Sequence, residues 1–143
     1  MASLPVRDQV GDHLLTLKNA ALAVIDYQPS QFAGVGSMDR DLLFENIVST
    51  VKTAKAFELP IVGWTINGAT GRGQPIVPDL AELFEDYPPI YRTTTNARED
   101  TEFLAAVRAA GRRKLIVYAL WTEIGAPIPT ESAELSCVIR KTG

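Results

Sequence analysis

Two unbroken apolar runs constrain this chain more than any other feature: ALAVID at 21–26 and KLIVYAL at 114–120. A strand with one solvated face alternates apolar and polar residues. These runs do not alternate, which marks strands buried on both faces. Helices on both sides of a sheet are needed to bury a strand in that way, and the intervening sequence supplies them. Asp39 is placed to cap a helix over 40–57, where Leu43, Ile47, Val51 and Ala54 recur at three- and four-residue steps as one apolar stripe. Pro60 ends that helical region and opens a second strand, PIVGWTI (60–66). Pro78 fits the first position of another helix, with Leu80, Leu83 and Phe84 facing inward. PPIYR (88–92) reads as a short third strand. Asn96 and Glu99 have the spacing of an N-cap and its capping-box acid for a helix running to about Ala110, with Gly111 just past its end. Residues 1–19 read as a leader to the first strand, and 27–38, with Gly34 and Gly36, as a loop. Alternating strands and helices predict an α/β fold with a parallel sheet and crossover helices. The 143 residues suit a single domain, 1–143.

Composition narrows the partners. Net charge is −3, and the densest basic run is only Arg112–Arg113–Lys114, which argues against nucleic acid. No apolar stretch reaches the roughly 20 residues of a spanning helix, so no membrane is expected. The N-terminus mixes charged and apolar residues and has no apolar core of a signal peptide. The single cysteine, Cys137, rules out an internal disulfide and makes a cytoplasmic setting the expectation. The single histidine, His13, excludes zinc sites built from several His and Cys ligands. No metal and no cofactor are expected. GATGRGQP (68–75) lacks both GxxxxGK[ST] and GxGxxG and reads as a loop at a pocket rim.

In a parallel sheet, ligands gather outside the C-terminal ends of the strands. The residues to watch are therefore Asp26, Thr65, Arg92 and the turn after Leu120. Asp26 is either a loop-capping acid or a general acid or base. Arg92 is either a surface arginine or a fixed cation that holds Asp26 or an anionic substrate. Cys137 lies twelve residues past Gly125 and reads as a structural thiol, as His13 reads as structural or surface.

Three segments in register carry a resemblance: AVIDYQ (23–28), YRTTTNA (91–97) and ALWTEIGAPIPT (119–130). Together they resemble the isochorismatase-like hydrolase superfamily, over roughly residues 18–135. The resemblance implies a Rossmann-like parallel sheet flanked by helices, a small-molecule substrate and a homo-oligomer. The branch it is most similar to hydrolyses amide- or imide-type C–N bonds with an Asp–Arg–Cys triad. By that likeness Asp26 is the acid/base, Arg92 the cation and Gly125 the position of the nucleophile. Gln28, Asn96, Trp121 and Thr122 are implied as substrate-binding. The metal-dependent nicotinamidases of the superfamily need histidine ligands this sequence lacks.

Two departures from the family pattern bear on function. Gly125 has no side chain, so a covalent thioester cannot form there. Family members also continue with at least one more strand–helix–strand unit, so the resemblance implies a domain incomplete at its C-terminus, missing its last strand or strands. Cys137, Val138 and Ile139 could start the next strand, leaving KLIVYAL, or a stub beside it, at an exposed edge. Three readings stand: a hydrolase domain impaired at Gly125; an Asp26-dependent vinyl-ether hydrolase, since true isochorismatases also carry glycine at this turn; or a non-catalytic binding or assembly subunit.

Overall fold

The computed structural model describes residues 15–66, 75–86, 88–92, 100–120 and 136–141, with Ile66, Arg92 and 136–141 described as backbone only. The elements in chain order are β1 (Ala20–Ile25), α1 (Pro29–Ala33), α2 (Arg40–Ala56), β2 (Ile61–Ile66), α3 (Pro78–Leu83), β3 (Ile90–Arg92), α4 (Thr101–Ala109), β4 (Lys114–Ala119) and β5 (Ser136–Lys141). The strands form one sheet in the order β3-β2-β1-β4-β5. Every pairing is parallel. This is the parallel α/β sheet that the two apolar runs require.

All six residues of β1 are buried, and they divide by strand alternation between two cores. Leu22 and Val24 join Ile61, Leu43, Ile47, Val51 and Leu80 on the face covered by α2 and α3. Ala21, Ala23 and Ile25 join Val62, Trp64, Phe103, Val107 and Val117 on the face covered by α4. The central strand thus has no polar face because neither side meets water. Full burial of a side chain such as Leu22 is worth about 1.5–3 kcal/mol relative to exposure.

The helix ends follow from local chemistry. Asp39 caps α2 by accepting from the Leu42 N–H at 2.9 Å, as its position in the sequence indicates. At the other end, the Glu58 N–H donates to Lys55 O and the Leu59 N–H to Ala54 O, the paired bonds of a Schellman ending. Glu58 has φ 57 there, a left-handed conformation that usually falls to glycine. Gly111 closes α4 as expected, with φ 65 and its N–H donating to Arg108 O at 3.0 Å.

Two local expectations are corrected. Residues 29–33, read as loop, form the short helix α1 with Pro29 in its first turn; the glycines at 34 and 36 masked the helix start that proline favours. The cap of α4 is Asp100, which accepts from the Phe103 N–H at 2.8 Å, and not Asn96. Asn96 has the right spacing to Glu99, but Asp100 stands three residues before Phe103, the first buried residue of α4, where its side chain reaches the free N–H of the first turn. Of the two edge readings the structure shows the second: β5, which contains Cys137, Val138 and Ile139, pairs outside β4, so KLIVYAL is internal and the stub forms the edge.

Candidate functional site

The chain runs from β1 outward through β2 to β3, then returns to the other side of β1 with β4. The point where the strand order reverses is a crevice between β1 and β4 at the C-terminal edge, where open parallel sheets bind ligands. Register pairs Ile25 with Ala119. Asp26 and Leu120 therefore leave the sheet side by side.

Asp26 ends β1 in a left-handed conformation, φ 59. Among non-glycine residues, Asp and Asn tolerate this region best, though it still carries strain. The turn is held from both sides: the Asp26 N–H donates to Trp64 O at 2.8 Å, and Asp26 O accepts from the Gln28 N–H at 2.8 Å. The strand hydrogen-bonding therefore reaches Asp26 from β2 while the chain swings out of the sheet plane. Asp26 is 6% exposed and Gln28 is 1% exposed. Between them, Tyr27 packs edge-on to Phe32 at 5.5 Å, and its carbonyl accepts from the Val77 N–H at 3.0 Å. That bond ties the turn to the start of α3.

Of the residues the sequence nominates, the structure brings Asp26 and Gln28 together in this turn. Arg92 ends β3, paired with Ile66 of β2. That places its backbone two strands from β1, about 10 Å across the sheet at the usual strand spacing. Asn96, Trp121, Thr122 and Gly125 lie outside the described residues, as do His13 and all of the 68–75 loop but Pro75. Thr65, a strand end the sequence marks without assigning a role, is fully buried. A groove of about 470 Å³ lined by Pro60, Ile61, Gly63, Pro88, Ile90 and Ala110 opens at the start of β2, away from this edge. Among the described residues, no three His, Cys, Asp or Glu side chains group as a metal site would need, and no helix is long and apolar enough to cross a membrane.

The chain is similar to known proteins across this same region. YcaC of Escherichia coli K12 is 32% identical over 120 residues, covering 83% of this chain and 57% of that protein. The crystal structure of Escherichia coli YcaC, described as an octameric hydrolase of unknown specificity, superposes with a TM-score of 0.79 at 28% identity, covering 96% of this chain and 66% of that one. YcaC from Pseudomonas aeruginosa, solved with hexane-2,5-diol and covalent acrylamide, gives 0.72 at 29% identity over 78% of this chain and 55% of that one. An isochorismatase from Pseudomonas putida KT2440 shares the fold, with a TM-score of 0.63 at 23% identity over 80% of this chain and 63% of that one. The chain thus spans less than two thirds of the length of these relatives. The isochorismatase domain model matches residues 20–126, from the first residue of β1 to beyond the end of β4, and the chain belongs to the isochorismatase domain family.

Proposed function

We propose that this chain is a small-molecule hydrolase domain whose remaining chemistry is acid–base catalysis by Asp26. The observation that carries the reading is the Asp26 turn: a buried carboxylate, in a left-handed backbone conformation, at the β1/β4 crevice. The hydrolase character of the Escherichia coli relative supports the reaction class. The covalent acrylamide in the Pseudomonas aeruginosa relative supports a pocket of amide size. In this chain residue 125 is glycine. Thiol attack and acyl-enzyme formation at that position are closed, and C–N hydrolysis by the covalent route is lost or severely impaired.

A reaction without a covalent intermediate is the better fit, and vinyl-ether hydrolysis is one. Asp26 delivers a proton to the terminal vinyl carbon, leaving an oxocarbenium ion. Water adds to that cation, its proton returns to the carboxylate, and the hemiketal collapses to a carbonyl and an alcohol. General acid catalysis of this kind contributes typically 10²–10⁴-fold. Arg92 is proposed as the cation that holds an anionic substrate, Gln28, Asn96 and Thr122 as polar contacts, and Trp121 as a pocket wall. Assembly as a homo-oligomer belongs to the same proposal and is supported by the octamer of the Escherichia coli relative.

The test is turnover of a panel of amides, imides and aryl vinyl ethers by the wild type and by Asp26→Asn, which keeps tolerance of the left-handed backbone. Turnover of a vinyl ether should fall at least 100-fold in Asp26→Asn, in line with the contribution of a general acid. An acyl adduct on the wild-type chain, or turnover indifferent to Asp26→Asn, would refute the scheme.

A further inference from the structure

The buried polar and charged residues recorded among those described are three: Asp26, Gln28 and Thr65. All three sit at one end of the sheet, where β1 and β2 finish. A fold gains nothing from collecting buried polar groups at one edge unless something there uses them, because each costs desolvation. Asp26 and Gln28 already belong to the proposed site. Thr65 does not.

Thr65 is the rung beside Asp26. Register pairs Ile25 with Trp64, and the Asp26 N–H reaches the Trp64 carbonyl at 2.8 Å, so the Trp64–Thr65 peptide lies against the Asp26 turn. Neighbouring strands stand about 4.8 Å apart. Strand alternation gives Thr65 the same side as Gly63, which faces Phe84 of the α3 end. The Tyr27–Val77 hydrogen bond ties down that face at the same edge. Thr65 is 0% exposed, and its hydroxyl has no hydrogen-bond partner among the described residues. Buried hydroxyls are ordinarily paired, and one left over calls for a reason.

We propose that Thr65 is a substrate-positioning residue: its hydroxyl is reserved for a polar atom, a carbonyl or ether oxygen, of the small molecule held beside Asp26. This rests on the reading of the Asp26 edge as the active site and adds a specificity contact to it. A hydroxyl that both donates and accepts suits an oxygen-bearing substrate, and a bound substrate gives it the partner that the described residues do not supply. Valine matches threonine in shape without the hydroxyl, and serine keeps the hydroxyl without the methyl.

Two measurements on Thr65→Val and Thr65→Ser test it. The first is urea unfolding without ligand. Thr65→Val should be at least as stable as wild type, since replacing an unpaired buried hydroxyl by an apolar isostere removes only a desolvation cost. The second is affinity, as KM for any substrate turned over and as NMR titration with benzamide, which needs no turnover. Thr65→Val should weaken both about threefold to tenfold, the worth of one hydrogen bond, and Thr65→Ser should recover most of the loss. A destabilised Thr65→Val protein means the hydroxyl serves the fold and overturns the proposal. Unchanged KM and benzamide affinity in Thr65→Val overturn it too, as does a wild type that binds none of these compounds. A wild type that binds benzamide through Thr65 but hydrolyses nothing leaves the Thr65 contact standing and sinks the hydrolase reading alone.

Discussion

Gly63 in the middle of β2 sits where the surrounding packing leaves no room for a side chain. A Cβ built there would lie 2.9 Å from Phe84 Cε1, 3.2 Å from Phe84 Cδ1 and 3.4 Å from Pro89 Cα. Phe84 is 2% exposed and caps α3, so its ring cannot swing into solvent. Gly63→Ala therefore sets two effects against each other. Alanine gains roughly 0.5–1 kcal/mol by reducing the freedom of the unfolded chain within a strand. Overpacking a filled core costs typically about 1–3 kcal/mol. The overpacking dominates, and the expected net loss is about 1–2 kcal/mol, or about 3 to 6 °C in Tm for a domain of this size. Urea unfolding of Gly63→Ala, Phe84→Leu and the double variant gives the cycle. Shortening the ring should relieve the clash, so the double variant should be more stable than the sum of the singles by about 1 kcal/mol or more. A Gly63→Ala protein as stable as wild type, or strictly additive singles, would show that the β2–α3 packing is not as described.

Two further substitutions read out local chemistry. Glu58 occupies the left-handed position of the α2 ending, so Glu58→Gly should raise stability by about 0.5–1 kcal/mol as the backbone strain outweighs the entropy glycine adds to the unfolded state; a drop in the urea midpoint would contradict the Schellman geometry. Asp100 accepts from both the Phe103 N–H at 2.8 Å and Trp64 Nε1 at 3.4 Å. Asp100→Ala should cost about 1–2 kcal/mol, mostly the lost cap, with Asp100→Asn recovering most of it; equal losses for both would mean the cap is not what is being removed.

The legible parts of the sequence were those where one physical rule acts alone. The apolar runs at β1 and β4 had no polar residue to argue over, and the α2 stripe of Leu43, Ile47, Val51 and Ala54 is buried as its spacing requires. Asp26 could be marked because it is the first charge after a run buried on both faces. Where two rules competed, position was lost. Asn96 and Asp100 are both good caps in the same stretch, and spacing to Glu99 favoured the wrong one. The helix at 29–33 is five residues long, too short for periodicity to register beside two nearby glycines. The left-handed turn at Asp26 has no glycine to announce it in the sequence; it is seen only where the chain leaves the sheet, with the Asp26 N–H still bonded to Trp64 O and Asp26 O to the Gln28 N–H. Thr65 was marked only as a strand end, since its lack of a partner is a property of the packed neighbourhood and not of the sequence.

The strand order also has a consequence for how the crevice comes into being. One wall follows β1, formed early in the chain; the opposite wall follows β4, and the Arg112 guanidinium that bonds the Lys18 carbonyl at the other end of this strand pair lies 94 residues away from it. β1 can zip to β2 as soon as the first crossover closes, but its other flank stays bare until the β4 segment has been synthesised and docks. Such long-range pairing raises contact order and slows folding. During synthesis the Asp26 carboxylate therefore exists well before it has a pocket, and the nascent chain meanwhile carries the open apolar edge of its own central strand, a surface for a chaperone to shield.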